Sequence, residues 1–218
     1  MQTNLAVSPL LKQLKAETQD NHNRIEKVSC MKRLFAKDYT INEYRACLER
    51  MFGFYDAIEP IIYHYLGEQL RASFKFRSKI EPLKQDLTQL GLSQRDIDML
   101  PRCPMDTYIN SLAQSLGVWY VLEGSTLGGQ VISRHLGQQF GDSVMQPLRF
   151  HSGYGEQTRT YWMDFCQVIE AQIDFDDNQK VQEIVGSAKL TFDYLTDWLG
   201  QEVGQSALAT TACGHVLA

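Results

Sequence analysis

The chain has 218 residues and a formal net charge of −5, with 44% hydrophobic and 22% charged residues. That balance is ordinary for a globular protein large enough to enclose one well-buried core. The acidic charge argues against nucleic acid as a main partner, no apolar run approaches the roughly twenty residues that span a bilayer, and Met1-Gln-Thr-Asn-Leu-Ala-Val-Ser-Pro9 lacks the basic start and apolar middle of a signal peptide, so a cytoplasmic protein is expected.

Ser8-Pro9 predicts a helix start, with serine as N-cap and proline in the first turn. Leu10, Leu11, Leu14 and Ile25 form its apolar stripe, and a bend or restart is expected near Asp20-Asn21. Thr40 with Glu43 three residues on reads as a capping box for a helix over about Ile41–Leu66. Its apolar positions recur at spacings of three and four, and Pro60 is expected to kink it. A helix over Lys79–Leu90 should end at Gly91. Ser93 opens a short helical turn, and Pro101–Pro104 is a connector. A long helix is predicted over Met105–Gln139, then a loop over Asp142–Gly155 with room for extended backbone. Two helices follow, at about Gln157–Ile173 and Asn178–Leu199. No alternating run is long enough for a sheet, so the prediction is a single all-α domain over 1–200, with a mobile tail over 201–218.

Five cysteines, at 30, 47, 103, 166 and 213, include no C-x-x-C pair. They fit neither a zinc site nor a disulfide framework, and reduced thiols are the simplest account. The absence of C-x-x-C-H excludes covalent haem attachment by that motif.

The long helix holds the most informative stretch, Tyr120-Val-Leu-Glu-Gly-Ser-Thr-Leu-Gly-Gly-Gln-Val-Ile-Ser-Arg-His135. Each interior glycine costs a helix about 1 kcal/mol relative to alanine, so Gly124, Gly128 and Gly129 need a local reason. Gly124 and Gly128 share one face, where a flat ligand would reach the peptide groups. Close helix packing, or a loop between two helices, explains such glycines equally well.

A second segment, Leu14-Lys-Ala-Glu-Thr-Gln-Asp-Asn-His-Asn-Arg-Ile-Glu26, adds a stripe of Thr18, His22 and Glu26 at four-residue spacing. On its own such a segment is more often an exposed helix turn, although a carboxylate four residues on is placed to orient the imidazole. Together the two segments resemble the haem oxygenase family, whose L-x-x-x-T-x-x-x-H-x-x-x-E run supplies the axial histidine. In that family a glycine-rich distal helix covers the other haem face. Y-V-L-E-G-S-T-L-G-G looks most like the bacterial biliverdin-producing branch, often associated with bacterial phytochromes, and the resemblance covers residues 8 to 200.

The resemblance implies a haem oxygenase-like bundle holding haem between a proximal helix and a kinked distal helix. It implies His22 as the iron ligand, with Lys15, Thr18, Glu26, Trp119, Gly124, Gly128 and Gly129 around the haem. Gly124, Ser125 and Gly128 would form the catalytic distal set. Lys15 would meet a propionate, and Trp119 stands where the family has a tyrosine; Arg134 and Arg159 are weaker propionate candidates. Many members have an aspartate where this chain has Ser125, and that carboxylate organises the water network that delivers protons. The implied reaction consumes haem, O2 and electrons from an external donor such as ferredoxin. It yields biliverdin, iron(II) and carbon monoxide, with a bacteriophytochrome as one potential biliverdin acceptor.

Two other readings stay open: a haem carrier or sensor of the same fold, and a thiaminase-type hydrolase, for which Cys47 near Glu49 and Cys166 near Glu170 show no specific motif. His64 and His135 read as ordinary helix residues, and nothing supports His151 or His215. The Phe52, Phe54, Tyr55 and Tyr63 series reads as core. Arg71, Lys75, Arg77, Lys79 and Lys84 form a basic run suited to a solvated surface or an acidic electron donor.

Overall fold

The computed structural model describes residues 8–74, 77–105, 108–141 and 148–201. Among the described residues ten α-helices run in order: α1 (Pro9–Ile25), α2 (Ser29–Arg33), α3 (Ile41–Tyr65), α4 (Gly67–Phe74), α5 (Ile80–Gln89), α6 (Gln94–Asp98), α7 (Leu112–Phe140), α8 (Arg149–Ser152), α9 (Thr158–Gln172) and α10 (Asn178–Gly200). A 3₁₀ turn at Gly155–Gln157 precedes α9, and no strand occurs among the described residues.

The caps act as their chemistry dictates. Ser8 accepts from the Leu11 amide at 3.2 Å, with Pro9 in the first turn. Thr40 and Glu43 form the full capping box of α3. Gly91, just past α5, has φ of 95°, a conformation that favours glycine.

α10 is the central packing element, lying against both α7 and α1. It contributes Val181, Ile184, Val185 and Ala188 to the core. The closest backbone approach of α7 and α10 is at Gly117, where an added Cβ would overlap the Ile184 carbonyl. Tyr44, Phe52, Phe54 and Tyr55 of α3 and Phe165 of α9 are fully buried.

Three boundaries differ from expectation. α1 runs unbroken through Asp20 and Asn21, because the Asn21 amide donates to Asp193 on α10 at 2.7 Å instead of competing for its own backbone. α7 begins at Leu112, not Met105, because Ser111 is its N-cap and accepts from the Gln114 amide at 3.2 Å. Within the expected loop at 142–155, the short α8 forms where the Asp86 carboxylate accepts from the Arg149 and Phe150 amides at 3.1 and 2.9 Å. Residues 142–147 lie outside the described residues, as does the tail from 202 onward.

Candidate functional site

On α1, the buried face is Leu10, Leu11, Leu14, Thr18 and Ile25. Lys15, His22 and Glu26 are exposed. The His22 side chain is 53% exposed, and its Nδ1 lies 3.5 Å from Glu26 Oε1. Its ring meets Phe192 of α10 edge-on, with centroids 5.9 Å apart. Among the described residues Nε2 has no hydrogen-bond partner, so a ring oriented on one side offers a free nitrogen on the other.

Burial holds the Tyr120 phenol of α7 above its ordinary pKa, and its neighbour Thr18 on α1 opposes that shift. These neighbours lie one turn before His22 on α1 and one turn before Gly124 on α7. Beyond it, Ser125, Leu127, Gly128 and Val131 are exposed, with Leu127 at 38% and Val131 at 56%.

The three glycines differ in what surrounds them. A Cβ on Gly129 would come within 2.6 Å of the His151 carbonyl oxygen, so this buried glycine packs against α8 rather than the open face. A Cβ on Gly124 would touch the Trp162 ring at 3.4 Å. A Cβ on Gly128 would meet nothing within 4 Å. Of the three, Gly129 alone is required by packing against the described residues, since a Cβ at 124 would make an ordinary contact and one at 128 none. Trp119 is also turned inward, buried with its ring edge-on to Phe165 at 5.2 Å.

α7 runs helically through all three glycines. The Ser125 and Thr126 hydroxyls donate to the carbonyls of Leu122 and Glu123, three residues back, at 2.7 and 2.6 Å. Because the Ser125 proton is given to Leu122, its Oγ is free to accept from Tyr55, whose hydroxyl lies 3.1 Å away.

Tyr55 sits above a buried polar network that the sequence did not reveal. Glu59, one turn along α3, accepts from Ser78 Oγ at 2.5 Å and from the Lys79 amide at 2.7 Å. Lys79 Nζ lies 3.3 Å from Glu123 Oε2 and contacts the Tyr154 hydroxyl, which itself donates to Glu123 at 2.9 Å. Both charged groups are almost wholly buried, with side-chain exposures of 6% and 3%. Burial pulls Lys79 below its ordinary pKa, with the Glu123 charge opposing that shift, and pushes Glu59 upward. Glu123 Oε1 has no partner among the described residues. The signal in the sequence was a glutamate inside the apolar run Tyr120-Val-Leu-Glu123, which must pair if it faces inward.

Lys79 is thus withdrawn from the basic run, and burial against a carboxylate is the reason. Arg71 and Arg77 lie over the Tyr63 and Tyr161 rings, at 4.2 and 3.5 Å. Lys75 lies outside the described residues. His151 is buried on α8, its Nδ1 3.0 Å from the Tyr44 hydroxyl, and burial depresses its pKa to about 4. It is a neutral core histidine. Among the described residues no cluster of His, Cys, Asp or Glu is arranged to hold a bare metal ion, and no helix is long and apolar enough to cross a membrane.

A family model described as "Heme oxygenase" matches residues 8–201. Two solved structures share the fold. A heme oxygenase from Leptospira interrogans is 14% identical with a TM-score of 0.71, covering 88% of this chain and 99% of its own. Heme oxygenase-1 from the cyanobacterium Synechocystis, in complex with heme, is 15% identical with a TM-score of 0.67, covering 88% and 91%. None of the curated proteins matches in sequence.

Proposed function

The chain belongs to the haem oxygenase family, and from that premise we propose that it binds haem between α1 and α7 and opens it to biliverdin, iron(II) and carbon monoxide. The observation that carries this reading is His22, whose Nε2 is unpartnered while Nδ1 faces Glu26. The open space at Gly128 supports it, since a helix that tolerates glycine with no protein neighbour there keeps room for something else. The exposed Leu127 and Val131 supply apolar surface for a macrocycle. Haem is both substrate and cofactor in this chemistry, supplying the iron at which O2 reacts with electrons from an external donor.

The residues then divide the work. His22 would hold the iron, and Glu26 would fix the ring's orientation and tautomer. Tyr120 and Thr18 are neighbours across the two helices beside the cleft, and Phe192 limits rotation of the imidazole. Gly124 and Gly128 would let peptide groups approach the bound haem, and Lys15, on the His22 face of α1, would meet a propionate. Ser125 accepts from Tyr55 and holds one position of a distal water chain. The unpartnered Glu123 Oε1 marks a second buried acceptor close behind it. The electron donor is an acidic iron–sulfur protein of the ferredoxin kind, and the biliverdin produced suits a bacteriophytochrome.

One observation favours a second reading, a haem carrier or sensor without turnover: the Ser125 proton is given to the Leu122 carbonyl, so no acidic group faces the distal space from position 125. Haem-loaded protein supplied with reductant and O2 decides between them. Loss of the Soret band with release of biliverdin and carbon monoxide supports the oxygenase. A persistent haem spectrum under the same conditions selects the carrier.

A further inference from the structure

Cys30 on α2 and Cys47 on α3 are separated in sequence, but their Sγ atoms lie 2.7 Å apart as free thiols. Ordinary nonbonded contacts between carbon atoms are about 3.5–4.0 Å, so no reorganisation of the fold is needed to bring these sulfurs together. Cys47 is buried and Cys30 partly exposed, which leaves one sulfur accessible and the other enclosed. We propose that Cys30 and Cys47 are a redox-active dithiol, in which a small peroxide oxidises Cys30 and Cys47 resolves it into an intramolecular disulfide.

The surroundings favour that division of roles. The contact with Cys47 holds the Cys30 thiol below the usual range, and the Arg50 charge adds to this while burial opposes it. Cys47 is pushed well above its ordinary value by the same contact and by burial, so it keeps its proton until it attacks the oxidised Cys30. Arg50 is otherwise engaged with Trp198, its guanidinium 3.8 Å from the ring centroid, yet its buried Nε has no partner among the described residues. Cys103 and Cys166 lack such company, and burial raises them to about 11 and about 12. A low-pKa, reachable thiol beside a resolving thiol is the arrangement in which sulfenic acid proceeds to disulfide.

The chemistry balances with peroxide as the oxidant. The Cys30 thiolate attacks one peroxide oxygen, the O–O bond breaks, and the leaving oxygen departs as water after taking a proton. Cys47 sulfur then displaces the hydroxyl of the Cys30 sulfenic acid, giving a second water and the S–S bond. The bridge ties α2, which follows the helix carrying His22, to α3, which carries Tyr55.

The test uses the full chain with Cys213→Ser, so that the tail thiol cannot contribute. In the reduced protein Cys30 should alkylate at least about tenfold faster than Cys103 or Cys166, as its greater thiolate fraction requires. After stoichiometric hydrogen peroxide, peptide mapping should find Cys30 joined to Cys47 and both protected from iodoacetamide. The melting temperature should rise and return with dithiothreitol, because the cross-link restricts the unfolded chain. In Cys47→Ala the Cys30 sulfenic acid should persist and react with dimedone. Equal alkylation of all thiols, or Cys30 oxidised to sulfinic acid in wild-type protein with no bridge, overturns the proposal. None of these readouts depends on haem, so the result stands apart from the enzymatic reading.

Discussion

Gly128 and Gly129 are adjacent in one helix, yet replacing each by alanine should move stability in opposite directions. At Gly128 an added methyl meets nothing within 4 Å. The substitution therefore keeps only the helix-propensity gain, about 1 kcal/mol, and should raise the melting temperature by about 2–4 °C for a chain of this size. At Gly129 the same methyl comes within 2.6 Å of the His151 carbonyl oxygen, a backbone atom that cannot swing aside. Overpacking of that kind costs about 1–3 kcal/mol, which offsets or exceeds the propensity gain and leaves a net loss of up to about 2 kcal/mol. Urea unfolding of both variants, followed by far-ultraviolet circular dichroism, measures the difference. A destabilised Gly128→Ala or a stabilised Gly129→Ala would refute the packing argument. The pair also bears on function: a glycine that weakens the helix with no protein neighbour to accommodate is kept for a ligand. Gly128→Leu should therefore fold but lose biliverdin production, and so should Gly124→Leu if Trp162 yields. Full turnover in both leucine variants would return these glycines to helix packing.

Ser125→Ala should lower turnover only modestly, since its proton is already committed to Leu122, and Ser125→Asp should be tolerated or favourable; biliverdin yield per haem checks both, and complete loss in the alanine variant would contradict this. Lys79→Met alone leaves the buried Glu123 without its counter-charge, with only the Tyr154 hydroxyl donating to it, and should cost about 3–5 kcal/mol, whereas adding Glu123→Leu should recover most of it; equal losses in the single and double variants would show that the pair is not coupled. Acid stability offers a test with two opposing signs. Asp86 is raised to about 6 by burial, so its folded state holds the proton longer and its contribution to stability falls as pH rises from about 4 to 6. His151, depressed to about 4, contributes stability that falls as pH drops from about 6.5 to 4. Each amounts to about 3 kcal/mol at 1.36 kcal/mol per pH unit, so they nearly cancel; Asp86→Asn should expose the histidine as a rise of about 3 kcal/mol between pH 4 and 6.5. An unchanged pH profile in that variant would sink the assignment.

Most helices were legible because their signals are local. Ser8-Pro9, the Thr40–Glu43 capping box and Gly91 each act within a turn of where they stand. What could not be read depends on partners distant in sequence. α8 is capped by Asp86 from another helix, and Asn21, which by propensity suggests a break, is held by Asp193. In the site, the four-residue spacing of Thr18, His22 and Glu26 set them on successive turns, but it could not show that Thr18 is buried while His22 and Glu26 are exposed, with Glu26 at the C-cap. The glycines were visible, but a spacing of four cannot show that Gly129 meets α8 while Gly128 meets nothing. Lys79 looked like part of a basic surface because its partners Glu123 and Tyr154 lie 44 and 75 residues further on. The Cys30–Cys47 contact escaped for the same reason: sixteen intervening positions carry no motif, and only the fold brings the sulfurs together.

The central claim is that His22 holds haem iron, and haem titration of wild-type protein beside His22→Ala tests it most directly. Wild-type protein should bind one haem with the absorption spectrum of histidine ligation. The variant should bind weakly or show an exchangeable ligand, and added imidazole should restore the wild-type spectrum. An unchanged haem spectrum in His22→Ala would contradict the account.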